Sequence, residues 1–158
     1  MQAVPQKQHE WLQRLVGEWT CEIEASMEPG KPPQKSKSDE RVRSLGGLWV
    51  VCEGRGEMPG AGPVETVMTL GFDPAKGRFV GTFIATMMTN LWIYDGALEG
   101  NVLTLAAEGP SMSGDGALAK YHDIIELVGS DQRTLSSFQL RDDGTRQQFM
   151  TARYRRIR

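Results

Sequence analysis

Glu40 is the side chain in this sequence best placed to do chemistry. It falls in Lys35-Ser36-Lys37-Ser38-Asp39-Glu40-Arg41-Val42-Arg43, where alternation sets Ser36, Ser38, Glu40 and Val42 on one face and Lys35, Lys37, Asp39, Arg41 and Arg43 on the other. With the first face internal, Glu40 is a carboxylate in a partly desolvated cavity, able to act as an acid, a base or an anchor for a cationic ligand group. The plainer reading is that Glu40 is wet or paired with an arginine, which the rarity of buried unpaired carboxylates favours.

The remaining candidates carry less. Cys21 and Cys52 both fall on inward positions by alternation, but neither has a histidine beside it in sequence, so both are expected to be free thiols packed as small hydrophobes. His122, in Tyr121-His122-Asp123, could serve as an axial haem ligand, on the strength of one histidine without a supporting motif. His9 is far from His122 in sequence and no Cys or His spacing matches a zinc site, so no metal and no cofactor are expected. Ser111 and Ser113 lie in Gly109-Pro110-Ser111-Met112-Ser113-Gly114-Asp115-Gly116, which has neither a Gly-x-Ser-x-Gly elbow nor the Lys-Ser/Thr ending of a phosphate cradle. It reads as a flexible loop.

These side chains must be positioned by strands. Trp19, Cys21, Ile23, Ala25 and Met27 alternate with Glu18, Thr20, Glu22, Glu24, Ser26 and Glu28, the pattern of a strand with one wet face. A third run, after Gly46-Gly47, puts Leu48, Val50 and Cys52 on its inner side. Further runs begin near Val64, Arg78, Leu91, Asn101, Leu118, Thr134 and Thr145, so about ten strands follow one another as an antiparallel meander. The only helical pattern is short and lies ahead of Gly17. At 158 residues the chain suits a single domain over 1–158.

Consecutive strands turn at alternate ends, so the connections sort onto two rims. Compact turns at 44–47, 73–77, 98–101 and 128–131 share one rim with the N-terminal helix and Trp19, and that end is expected to be plugged. The connections at 29–34, 58–63, 89–90, 109–116 and 142–144, which include the longest, share the other, expected to be the mouth. Met27, Met58, Met87, Met88 and Met112 all fall at the mouth, where unbranched, polarizable side chains could repack around ligands of different shape. Pro29, Pro32 and Pro33 exclude a helical lid between the first two strands.

Charge bounds the partners. The 18 basic and 20 acidic residues are mixed along the chain, giving a net charge of -2 and no basic stripe for a phosphate backbone, so nucleic acid is not expected. The first residues lack the apolar core of a signal peptide and no run is long enough to cross a bilayer, so no membrane partner is expected and the cytoplasm is the expected location. A homodimer is left open.

Two resemblances add to this reading. The short helix, Gly17-Glu18-Trp19, the run of strands and the closing Tyr154-Arg155-Arg156 resemble the calycin barrels of lipocalins and fatty-acid-binding proteins. The resemblance implies that Trp19 packs inside the closed end with Arg156 across its indole, a structural plug. Met68 to Asp73, Gly77 to Phe83, Met87 to Trp92, Glu108 to Ser111 and Phe149 to Arg156 resemble a bacterial family, the domain of unknown function numbered fifteen seventy-nine, over most of the chain. The chain departs from that family's frequent residues at Phe83, Ala85, Asn90 and His122, and the resemblance implies a barrel without assigning any catalytic residue. The fold expected is thus all-β: an antiparallel, up-and-down, calycin-like barrel with a short N-terminal helix plugging one end.

Two functions fit such a barrel. In the first it binds a small, largely apolar molecule, with Ile23, Met27, Val50, Leu70, Met87, Met88 and Met112 around the ligand and Ser38 or Glu40 as polar anchors. In the second the cavity is that of an isomerase or hydrolase with Glu40 as general base, which needs a second polar group opposite. A haem-binding barrel using His122 is a third, less favoured reading.

Overall fold

Alternating polar and apolar residues form ten strands, and each pairs with its chain neighbours until the last meets the first. The computed structural model describes residues 2–26 and 30–158. After a helix α1 (Lys7–Gln13) come β1 (Gly17–Ala25), β2 (Gln34–Leu45), β3 (Trp49–Met58), β4 (Gly62–Asp73) and β5 (Arg78–Ala85). The second half is β6 (Trp92–Glu99), β7 (Val102–Pro110), β8 (Leu118–Val128), β9 (Gln132–Leu140) and β10 (Arg146–Arg156). All pairings are antiparallel, and β1 closes the barrel by pairing with both β2 and β10. The all-β, calycin-like architecture expected from the sequence is the one the chain adopts.

The closed end is tied together by the helix, the first residues of β1 and the last of β10. Trp11, Leu12 and Leu15 enter the same core as Trp19, Val50, Leu70, Phe79, Leu103 and Leu105. His9 bridges two elements: its Nδ1 accepts from the Gln6 amide at 2.9 Å while its Nε2 lies 3.0 Å from the Phe72 carbonyl, so the histidine docks the helix onto β4. The Trp19 indole donates to the Leu15 carbonyl at 2.9 Å. Arg156 Cζ stands 4.3 Å from the centroid of the Trp19 ring, and the guanidinium donates to the carbonyls of Val16 at 2.5 Å and Arg14 at 2.7 Å. Carbonyls just past the helix end are thereby satisfied by a cation. Gly17 has φ +143°, and a Cβ there would run into that guanidinium and the Arg158 carbonyl. Only glycine fits at that crossing.

The connections at 59–61, 86–91, 111–117 and 141–145 gather at the opposite rim. β6 is joined to β7 only from Asp95–Ala106 to Glu99–Val102, so its mouth-side residues run free of that ladder. The Trp92 indole lies there against Gly109, where a Cβ would collide with the ring. No helix among the described residues is long and apolar enough to cross a membrane.

Candidate functional site

At the closed end, Glu40 is held by an arginine that sequence reasoning did not single out. Glu40 is in register with Trp19 on β1 and Gly54 on β3, which places it deep in the barrel rather than near the mouth. Its carboxylate accepts from Arg133 Nη2, an ion pair whose side chains are 12% and 4% exposed. The Arg133 guanidinium in turn lies 4.7 Å from the Trp19 ring centroid and 3.7 Å from that of Tyr154. Burial alone would favour loss of the Arg133 proton, but the facing carboxylate outweighs it and holds the guanidinium protonated. The Glu40 charge is therefore already neutralised, and a general base or free anchor at this position would first have to lose Arg133.

Around the pair the thiols are inert. Burial pushes the Cys21 thiol up to about 11, against hydrogen bonds with Ser38 and Tyr154 that favour the thiolate. Burial raises Cys52 further. Both cysteines are free, and neither is a nucleophile at neutral pH. Ser38 is spent on Cys21.

Toward the mouth the lining changes character. At the closed end inward positions are filled by large residues such as Phe79, Leu103, Leu105 and Leu127, which have almost no exposed surface. On the mouth side small inward residues such as Ala25, Ser36, Gly56, Ala85, Ala107 and Ala119 stand among larger ones, Phe83, Trp92 and Tyr121. Ile23, Ser36, Thr66, Phe83, Ala107, Leu135 and Met150 face inward yet keep partial exposure, so this half opens to solvent.

One wall of this half carries a carboxylate. On β8, Tyr121, Asp123, Ile125 and Leu127 share the inward face, and Asp123 pairs across to Leu105 on β7 and Ser137 on β9. The Tyr94 hydroxyl donates to Asp123 Oδ2 at 2.5 Å, and Ser137 also hydrogen-bonds the carboxylate. Burial raises the Asp123 pKa against the pull of those two donors. Burial and the adjoining carboxylate together raise Tyr94 well above the usual phenol range. One inward position nearer the mouth, Tyr121 meets the Trp92 ring edge-on at 5.0 Å and donates to the Pro110 carbonyl at 2.5 Å.

The other residues expected at the site are distributed as follows. Val50 and Leu70 are wholly buried in the closed-end core, beyond the open half. Ile23 lines the open half. Met87 and Met112 stand on the mouth rim with 47% and 37% of their surface exposed, and Met88 Sδ accepts from the Trp92 indole at 3.0 Å. Met27 lies outside the described residues. His122 points away from the cavity, in register with Ala106 and Phe138 on the outer wall, so it cannot reach a haem inside the barrel. Among the described residues no group of three or more His, Cys, Asp or Glu is arranged to hold a metal. Asp123 and Arg133 were legible only as parity: each shares the alternating face of Ile125 or Leu135, but the partners that give them meaning come from distant strands.

Two depressions lie on the outer wall. One of about 410 Å³ is bounded by Val4, Leu48, Trp49, Phe72, Pro74 and Val80 beside the helix. The other, about 300 Å³, lies over β1, β9 and β10 among Thr20, Glu22, Thr134, Arg153 and Arg155.

A closed ten-stranded barrel with a helix over one end and an interior open at the other defines the class as a calycin-like barrel. The chain belongs to the family described as a protein of unknown function, DUF1579, whose pattern matches residues 4–156. Among solved structures it is similar to Rv2717c from M. tuberculosis, at 14% identity and a TM-score of 0.66, with 98% of this chain and 100% of that one covered. It is also similar to the S-type phycobiliprotein lyase CPES of Guillardia theta, at 11% identity and a TM-score of 0.65, with 97% and 94% covered. Such identities carry the fold alone. No curated protein is significantly similar in sequence.

Proposed function

We propose that the barrel binds a small, largely apolar molecule in its mouth-side half. The observation that supports this reading is the exposure gradient of the inward residues: sealed near Trp19, partly exposed at Ile23, Ser36, Ala107, Leu135 and Met150 toward the mouth. A concave, mostly apolar space with a few convergent polar groups is the usual form of a small-molecule site. The exposed Met87 and Met112 supply an adaptable rim. The same reading places the protein in the reducing cytoplasm, where Cys21 and Cys52 remain thiols.

Nile red, a neutral apolar dye that brightens out of water, tests it. Ala107→Phe fills the open half and is expected to weaken dye binding at least tenfold, whereas Trp49→Ala, on the outer wall, leaves it unchanged. Met87→Ala with Met112→Ala is expected to weaken binding while changing stability by less than about 0.5 kcal/mol, as at other exposed positions. Dye binding that survives Ala107→Phe and disappears in Trp49→Ala would move the site outside the barrel and overturn the proposal.

A further inference from the structure

We infer that Asp123, together with Tyr94, Tyr121 and Trp92, is a receptor for a protonated nitrogen, so that the ligand is a small apolar molecule carrying an ammonium group. This rests on the reading that the open half of the barrel binds a ligand.

The barrel contains its own demonstration of the chemistry. At the closed end a carboxylate, Glu40, and two aromatic rings, Trp19 and Tyr154, surround a cation, and the cation is the guanidinium of Arg133. In the open half the same three ingredients recur. Asp123 supplies the carboxylate; Tyr94 adjoins it, and Tyr121 and Trp92 stand mouthward as an edge-to-face pair. Here the cation is missing. No ion pair involving Asp123 occurs among the described residues, and the one cationic group whose charge bears on it is His122, at an outward position of the same strand.

A carboxylate out of water without a countercharge is costly, and proteins rarely retain one without a use. Tyr94 and Ser137 each engage the Asp123 carboxylate, leaving about half of its four lone-pair sites for a further donor. Asp123 faces the interior and as a residue retains partial exposure. An ammonium group would find the carboxylate in front and aromatic side chains around it, a composition suited to alkylammonium ligands. The apolar body of the ligand would lie against Ile23, Ala107, Leu135 and Met150. A carboxylate-bearing ligand is disfavoured there by repulsion from Asp123, and Arg133 is already paired.

Isothermal titration of the full-length protein with 2-naphthylmethylamine, 2-naphthalenemethanol and 2-naphthoate separates the possibilities, since the three differ in little besides charge. The amine is expected to bind at least tenfold more tightly than the alcohol, with the naphthoate weakest. In Asp123→Asn, which keeps the shape and an acceptor for Tyr94, amine and alcohol are expected to bind within a factor of two of each other. Equal binding of amine and alcohol to the unsubstituted protein would overturn the ammonium site while leaving the apolar cavity standing, and preferred binding of the naphthoate would do the same. Failure of all three to bind would remove both. The comparison of the three probes on the unsubstituted protein needs no variant to fold.

Discussion

Arg133 and Glu40 form a buried ion pair between the rings of Trp19 and Tyr154, joining β9 to β2 across the interior of the closed end. The pair has structural weight because both charged side chains are largely buried. Removing one partner strands the other, which costs about 3–5 kcal/mol in buried pairs of this kind. Arg133→Met is therefore expected to lose that much in urea denaturation, and Glu40→Gln added to it is expected to restore most of the loss. Strictly additive losses would show that the two residues act separately.

Arg156 is the clasp of the plug. Arg156→Ala removes charged hydrogen bonds to the Arg14 and Val16 carbonyls and the contact with the Trp19 indole. Hydrogen bonds to charged groups contribute about 1.5–3 kcal/mol and an ordinary cation–π contact about 0.5–2 kcal/mol, so a loss of about 3 kcal/mol is expected. Trp19 fluorescence should shift to the red as water reaches the ring. An unshifted spectrum with unchanged stability would leave the clasp without a role.

Much of this architecture was readable in the chain. The strict alternation from Trp19 to Ala25 fixed which side of β1 is wet, and Gly17-x-Trp19 with the terminal Arg156 marked the closed end. What escaped were relationships between strands far apart in sequence. The inward place of Arg133 follows from its parity with Leu135 and Ser137 on β9, but its partner Glu40 lies some ninety residues away. In Tyr121-His122-Asp123 attention fell on the histidine because of its chemistry, whereas parity with Ile125 and Leu127 points Asp123 inward. The polar second strand, by contrast, announced from sequence that the interior is not a plain apolar core.

The thiols predict a pH dependence. Cys21 titrates near 9.0 when unfolded and about 11 when folded, so the native state binds more protons between those values. Its contribution is complete below pH 9 and is lost as pH rises toward 11, on the order of 3 kcal/mol for a two-unit shift. Cys21→Ala is therefore expected to show a shallower fall in stability between pH 9 and 11 than the unsubstituted protein, measured by urea midpoints. Parallel curves would mean that Cys21 is not held protonated.

Asp123 works in the opposite pH range. Its folded pKa lies above the ordinary carboxylate value, so its contribution is fully present below the unfolded pKa of about 3.8 and is lost as pH rises through the folded value. Asp123→Asn removes that loss. The variant is expected to have the higher Tm at pH 7, with the advantage shrinking as the pH is lowered toward 4. A variant less stable at neutral pH would show that the carboxylate is stabilised as an anion in the ligand-free barrel.

The central claim, that ligands enter the barrel rather than lie on its wall, is tested most directly by methyl NMR during titration with 2-naphthalenemethanol. Methyl signals of Ile23, Ala107, Leu135 and Met150, which line the open half, are expected to shift together and saturably, while those of Val4, Leu48 and Val80 along the outer groove stay in place. Shifts confined to the outer groove, with the four interior methyls unmoved, would contradict it.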